Sequence, residues 1–408
     1  MKQNRKEKGN VPNLRFPEFE GEWEKFKLEN CLLRLENGMT YDSMVNEGEY
    51  PVSRIETISN RTIDYSKVGY TSEGDRLFHY KMERGDILFS HINSLKHIGK
   101  TAYYYGDQPL YHGMNLLLMR CNTTVLPMFL YQLMNSSKFI RKCQILANQA
   151  VNQASINTGE LRKTSIYIPV SEEQQKIARL LYLLDKRIET QNKIIEKLES
   201  LIKGLSNLFF CEQENKPSLR FPQYYEEWKK VELKEIVSRI TRRNKENETE
   251  LALTIAAKYG LVDQISFFNK QIASVDLSSY YLLYHGEFAY NKSYSKDYPW
   301  GAVKRLDAYE KGVLSTLYIC FKPKDYIISD FFVHYFETNK WYRGISEIAG
   351  EGARNHGLLN ISIDDYFDTT HYLPSFEEQK KIASFLNLLC IRLDKEKAMI
   401  QAFESQKR

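Results

Sequence analysis

Adjacent prolines are missing from this sequence of 408 residues: its 11 prolines never stand side by side, and none is followed by Asp. The first absence removes the Asn/Asp-Pro-Pro-aromatic loop expected of an amino-methyltransferase, and the second removes the Pro-Asp start of a common carboxylate nuclease. No Gly-x-Ser-x-Gly elbow occurs either. Cysteine is sparse. Cys31, Cys121, Cys143, Cys211, Cys320 and Cys390 form no CxxC and have no His at ligand spacing, which excludes a disulfide framework and a zinc knuckle. No apolar run is long enough to cross a bilayer, and the opening MKQNRKEKGN is charged, so the expectation is a cytoplasmic chain without a membrane partner. A charge excess is also lacking. With 57 Lys and Arg against 52 Asp and Glu, a nucleic-acid partner requires positive charge gathered locally.

Two further candidates for chemistry fail on their spacing. SLKHIGKT, 94 to 101, ends like a phosphate-binding loop, but Ser94 stands where the first glycine of that loop must be. His79, His91 and His97 lie too far apart to share one helix face as metal ligands. The reading is therefore of a chain with no catalytic residue, no metal site and no cofactor of its own.

What the sequence does hold is a duplication. LRFPEFEGEW begins at Leu14 and LRFPQYYEEW at Leu219, 205 residues on; Pro169 and Pro374, Glu172 and Glu377, Gln174 and Gln379, and Ala178 and Ala383 keep that offset. The interiors differ in sequence but share punctuation. GDILFS at 85 to 90 matches GEFAYN at 286 to 291, and Gly99 and Gly301 follow at similar distances. With 28 Tyr and 21 Phe, segments such as TAYYYG, NLLLMR, KTSIYIPV, VLSTLYICF and EFAYN read as strands of aromatic-rich sheets, with helices near 126 to 146 and 328 to 348.

Each EEQ phrase starts a long helix. Ser171 with Gln174, and Ser375 with Glu378, have the spacing of a capping box. Beyond them Ile177, Leu181, Leu184, Ile188, Gln191, Ile195, Leu198, Ile202, Leu205 and Phe209 alternate steps of four and three, the period of a coiled-coil seam. Ile382, Leu386, Leu389, Leu393, Glu396, Ile400 and Phe403 repeat it, including the polar break, since Gln191 and Glu396 are 205 apart. The short link CEQENKPS and the closeness of domain termini predict antiparallel helices, with Gln191 and Glu396 meeting in a polar layer or standing at a half-exposed seam position.

The expected fold class is α+β: two homologous mixed α/β domains, separated by two long antiparallel coiled-coil helices in a pseudo-two-fold tandem repeat. The boundaries are a flexible basic arm at 1–13, a first domain at 14–168, a central helix at 169–212, a second domain at 213–373 and a distal helix at 374–408, which lacks the counterpart of GLSNLFF. A helix of about 40 residues is roughly 60 Å long. Such a rod holds two divergent heads at a fixed spacing, as a reader of two unlike half-sites on duplex DNA requires.

The order LRFP, EW, variable domain, Pro, EEQ-KIA, all given twice, resembles the specificity subunit of a type I restriction-modification enzyme across nearly the whole chain. The resemblance implies binding to a bipartite, asymmetric site on double-stranded DNA and docking of two methyltransferase subunits, with restriction and translocase subunits joining in the full complex. S-adenosylmethionine, ATP and Mg would then belong to those partners. The competing reading is a coiled-coil scaffold whose two homologous domains bind proteins or glycans, for which the mild net charge speaks.

Phosphate contact needs Lys and Arg on exposed loops, and base readout needs polar side chains such as Arg, Asn and Gln. In the second repeat, NKSYSKDYPWGAVKR supplies Asn291, Lys292, Ser293, Tyr294, Lys296, Lys304 and Arg305; the alternative there is a solvated hairpin with its aromatics folded inward. The equivalent stretch of the first repeat offers Ser90, Asn93, Ser94, Lys96, His97 and Lys100. The polar stretches 148 to 163 and 350 to 359 precede the long helices, and Arg354 and Asn355 in the second are further candidates. RITRRNK, 239 to 245, reads as a solvated charged loop.

Overall fold

The computed structural model describes residues 10–41, 47–72, 77–149, 153–212, 215–270, 274, 276–349 and 357–407. The chain divides into two compact units, Met1–Thr190 with Ile400–Arg408, and Gln191–Met399. The division falls inside the first long helix rather than at its ends. No helix among the described residues is long and apolar enough to cross a membrane.

In the first unit an antiparallel sheet runs in the order Leu32–Asn37, Leu117–Cys121, Ile87–Phe89, Thr101–Tyr103. The ILF of GDILFS, Ile87–Phe89, thus becomes an inner strand, and it is apolar throughout because both its faces are covered. Ile87 and Phe89 point to one core, with Leu117, Met119 and Phe129; Leu88 points to another, with Ala102, Leu116 and Leu118. The expected helix at 126 to 146 is two helices, Pro127–Met134 and Ser137–Leu146. Ser136 divides them by taking an extended backbone and accepting the Phe139 N–H on its hydroxyl.

The second unit has the same plan. Its sheet runs Val237–Arg239, Ile319–Pro323, Phe288–Asn291, Ala302–Arg305, again antiparallel. Phe288 and Tyr290 face one core and Ala289 another. VLSTLYICF is not one strand: Lys311–Leu314 and Ile319–Pro323 are separated by a turn in which the Tyr318 N–H reaches the Ser315 carbonyl. The expected helix at 328 to 348 is again two, Ser329–Phe336 and Tyr342–Ile348.

Each repeat is closed by the first strand after its LRFP phrase. Glu24–Lys27 pairs with Ser165–Ile168, and Lys229–Glu232 with Thr370–Leu373. These closing strands deliver the chain into the long helices, Ser171–Phe209 and Phe376–Lys407. Within the first unit, Asp185 forms an ion pair with Lys407, and the Arg187 guanidinium lies 5.7 Å from the Phe403 ring. Within the second, Gln191 donates to Glu396, Lys397 pairs with Glu199 and Phe385 packs on Phe209. In both units the helix partners run in opposite directions. The seam positions are half-buried or buried along both helices, whereas Leu183, Leu201 and Leu388, off the seam, are exposed.

Candidate nucleic-acid interface

The repeated phrases find each other in space. Arg15 of the first LRFP donates to both carboxylate oxygens of Glu173, at 2.8 and 2.7 Å, and Trp23 Nε1 adds a third donor at 3.3 Å. Arg220 of the second LRFP makes the same fork to Glu378, at 2.7 and 2.7 Å. Such bidentate pairs fix geometry as well as adding energy. Each fork joins residues 158 apart, so it clasps the front of a variable domain to the head of the helix that follows it. The neighbouring glutamine does the rest. Gln174 accepts the Leu126 N–H and donates to the carbonyls of Thr124 and Pro169; Gln379 accepts the Ile328 N–H and donates to Pro374.

This use of Gln174 corrects the expected capping box. Its side chain turns to the variable domain, not back to Ser171, while in the second helix Ser375 does accept the Glu378 N–H but the Glu378 carboxylate goes to Arg220. Neither box closes, because the helix heads serve as anchor points for domains.

Apart from these clasps, the two divergent stretches of each repeat are brought together. In the first unit Ile92–Asn93 pairs with Ala154–Ser155, which pairs in turn with Ala147–Gln149. In the second, Ser293 bridges to Leu358, the Tyr294 N–H donates to Gly357, and the Leu359 N–H to Lys292. The turn behind each edge depends on a glycine. Gly99 and Gly301 have φ of +77° and +80°, and a Cβ on Gly301 would stand 2.2 Å from the Asn291 carbonyl oxygen.

The candidate residues separate into those the edge exposes and those the fold uses. Ser94, Lys96, Ser293, Tyr294 and Lys296 are exposed. Asn93 and Asn291 shape the loop, accepting the N–H groups of Ser94 and Ser293 at 2.8 and 3.0 Å, and His97 is half-buried in the same turn. Ser90 is wholly buried, its hydroxyl accepting from Asn93, and so presents nothing to a ligand. Lys100 is half-buried and donates to the Ser59 carbonyl; burial, then Arg61 and Lys96, lower its pKa. Lys292 donates to the Ile361 carbonyl. Lys304 pairs with Glu337, and Arg305 with Asp307 and Asp330, so both cations are neutralised within their own unit. Arg354 and Asn355 lie outside the described residues. The loop at 239 to 245 is stapled rather than merely solvated: the guanidinium groups of Arg242 and Arg243 lie 4.2 and 4.4 Å from the rings of Tyr284 and Tyr281.

Asn148, Gln149, Gln153 and Ser155, in the polar stretch 148 to 163 from which the sequence reading picked no single residue, are all exposed on or beside the paired strands of the first unit. The signal was there in NQAVNQAS, an amide-rich run between two short apolar segments. These edges therefore display amides, hydroxyls, a phenol and a few lysines, the side chains that meet base edges and phosphates.

Comparison with known proteins agrees with this layout. Solved structures sharing the fold include the S subunit of a type I restriction-modification system from M. genitalium, with a TM-score of 0.56 and 15% identity over 95% of this chain and 94% of that one. A second, described as showing complex assembly and conformational transition of the type I R-M system, has a TM-score of 0.53 and 14% identity over 94% of this chain and 95% of that one. At the level of sequence, residues 20–200 match the type I restriction modification DNA specificity domain. The chain is 38% identical over 232 residues to a putative type I restriction enzyme MjaX specificity subunit of Methanocaldococcus jannaschii, and 27% identical over 136 residues to the type I restriction enzyme HindI specificity subunit of Haemophilus influenzae. These matches span 55% and 29% of the two relatives and 55% and 32% of this chain.

Proposed function

We propose that the chain is a sequence-specific DNA-binding specificity subunit of a type I restriction-modification complex. Each unit reads one half of a bipartite, asymmetric site on double-stranded DNA. The antiparallel coiled-coil helices serve as the spacer between the two target-recognition domains and as the surface on which two methyltransferase subunits dock, with restriction and translocase subunits recruited through them. The chain itself is non-catalytic; S-adenosylmethionine, ATP and Mg act on the partner subunits, in the cytoplasm.

The observation that carries this reading is the pairing of an unvarying frame with a varying edge. The clasps, the four-stranded sheets and the glycine turns repeat; the residues exposed on the edges do not. Two unlike polar edges on one framework suit two unlike half-sites. Gel-shift titration of the chain with its methyltransferase partners tests the proposal. Affinity should fall steeply with salt, and one split-site duplex should be bound at least about a thousandfold more tightly than random duplex. Equal binding of all duplexes, or binding indifferent to salt, would refute it.

A further inference from the structure

Strand directions in the second unit bring more than the edge to one end of its sheet. Phe288–Asn291 runs out into the edge loop, Ile319–Pro323 is antiparallel to it, and Val237–Arg239 is antiparallel to Ile319–Pro323 in turn. Val237–Arg239 and Phe288–Asn291 therefore point the same way. The residues that follow Arg239, and those that precede Ile319, lie at the end of the sheet that carries the edge.

Three turns meet there. Asn244–Asn247, Leu277–Tyr280 and Ser315–Tyr318 each close with an N–H bonded to the carbonyl three residues back, at 3.0, 3.1 and 3.2 Å. The first two are tied together, since the Asn244 N–H donates to the Tyr280 carbonyl and the Arg243 guanidinium to the Ser279 carbonyl. An open cleft of about 530 Å³ is bordered by Arg243, Lys245, Ser278, Ser279 and Thr316. No carboxylate borders it, Glu246 of the Lys245 turn included. Glu287 is engaged by Arg242, Glu248 by Lys311, and Asp276 accepts the Ser278 N–H, whereas neither Arg243 nor Lys245 has an acidic partner among the described residues. The Arg243 guanidinium is held over the Tyr281 ring at 4.4 Å, and Lys245, Ser279 and Thr316 are exposed. In the first unit the stretch after the matching strand, GMTYDSMVN at 38 to 46, has neither Lys nor Arg.

We propose that this cleft seats one backbone phosphate of the bound DNA, with Arg243 and Lys245 neutralising its charge and the Ser279 and Thr316 hydroxyls donating to its oxygens. Two unpaired cations beside free hydroxyls, with no carboxylate in the wall, match a phosphate and repel no part of it. The inference rests on the DNA-binding reading of the second unit. It extends that unit's contact surface beyond the edge, to residues that position the duplex without reading its sequence.

Gel-shift titration of the complex across salt, on split-site and on random duplex, compares the parent with Lys245→Ala and Lys245→Arg. Lys245→Ala should lower the slope of log affinity against log salt by about 0.9. It should weaken both duplexes by one common factor and leave the unfolding temperature unchanged, and Lys245→Arg should restore the slope. Replacing phosphates of the split-site duplex one at a time by uncharged methylphosphonates should find one position, beside one half-site only, whose neutralisation weakens the parent but not Lys245→Ala. An unchanged slope in a variant that still prefers the split-site duplex, or the same set of sensitive phosphates in both proteins, would overturn the proposal. So would saturable binding of inorganic phosphate to the DNA-free complex that Lys245→Ala abolishes, which would make the cleft a site for the free anion. A parent that does not distinguish the two duplexes refutes the DNA-binding reading itself, and the phosphate seat falls with it.

Discussion

Glu378 has only 1% of its side chain exposed, and its partner Arg220 keeps 16%. A carboxylate so placed is stabilising only while its fork is intact, and losing it strands a guanidinium against the head of a helix. Glu378→Ala should cost about 2–3 kcal/mol, toward the low end of such losses because Arg220 retains some water, whereas Glu377→Ala beside it, on an exposed side chain, should cost under about 0.5 kcal/mol. Urea titration monitored by circular dichroism measures both. His371 makes a second prediction at this scale. Buried between the Tyr335 and Thr369 hydroxyls, at 2.8 and 2.9 Å, it has its pKa pushed down to about 4 by burial. The unfolded chain takes up this proton near pH 6.5 and the folded chain only near 4, so the stability that depends on neutral His371 is complete above about pH 6.5 and declines as pH falls toward 4. His371→Asn should lose less stability than the parent between pH 7 and pH 4.5 in paired denaturant titrations.

At the scale of elements, the edges and the cations behind them make opposite predictions. Lys96→Ala and Lys296→Ala, on exposed turns, should each reduce the salt dependence of DNA binding by about one unit of slope with little change in stability. Lys304→Ala and Arg305→Ala should lower stability by about 1 kcal/mol and leave that slope unchanged, since both cations are paired with Glu337, Asp307 and Asp330. The long helices were legible in the sequence because a seam repeats every seven residues and needs no distant information. GDILFS and EFAYN were legible as strands for the same reason, each being short, apolar and bounded by turns. Less legible was whatever depends on partners far along the chain. Ser90 and Lys100 look like surface residues in a polar stretch, and only the pairing of Ile92–Asn93 with Ala154–Ser155 shows which side of the turn faces water. Gln174 fitted a local cap by spacing, but Leu126, 48 residues earlier, competes for it and wins. The Arg–Glu clasp could have been found: both its members lie in the repeated phrases, at one separation.

For the molecule as a whole, one polar layer interrupts the helix seam, and such a layer is expected to set register. Gln191 is buried and donates to Glu396, which also accepts from Arg392. Gln191→Leu alone should destabilise the chain by about 1–3 kcal/mol, because it leaves a half-buried carboxylate with one donor fewer. Adding Glu396→Leu should restore or exceed the parent stability while permitting slipped helix pairings; thermal unfolding gives the first result and cysteine cross-linking of seam positions the second. The clasp has a wider consequence. Since Arg15 with Glu173, and Arg220 with Glu378, shut each divergent stretch with one and the same lock, an insert that carries the lock at its borders is expected to seat on the helix head whatever sequence lies between.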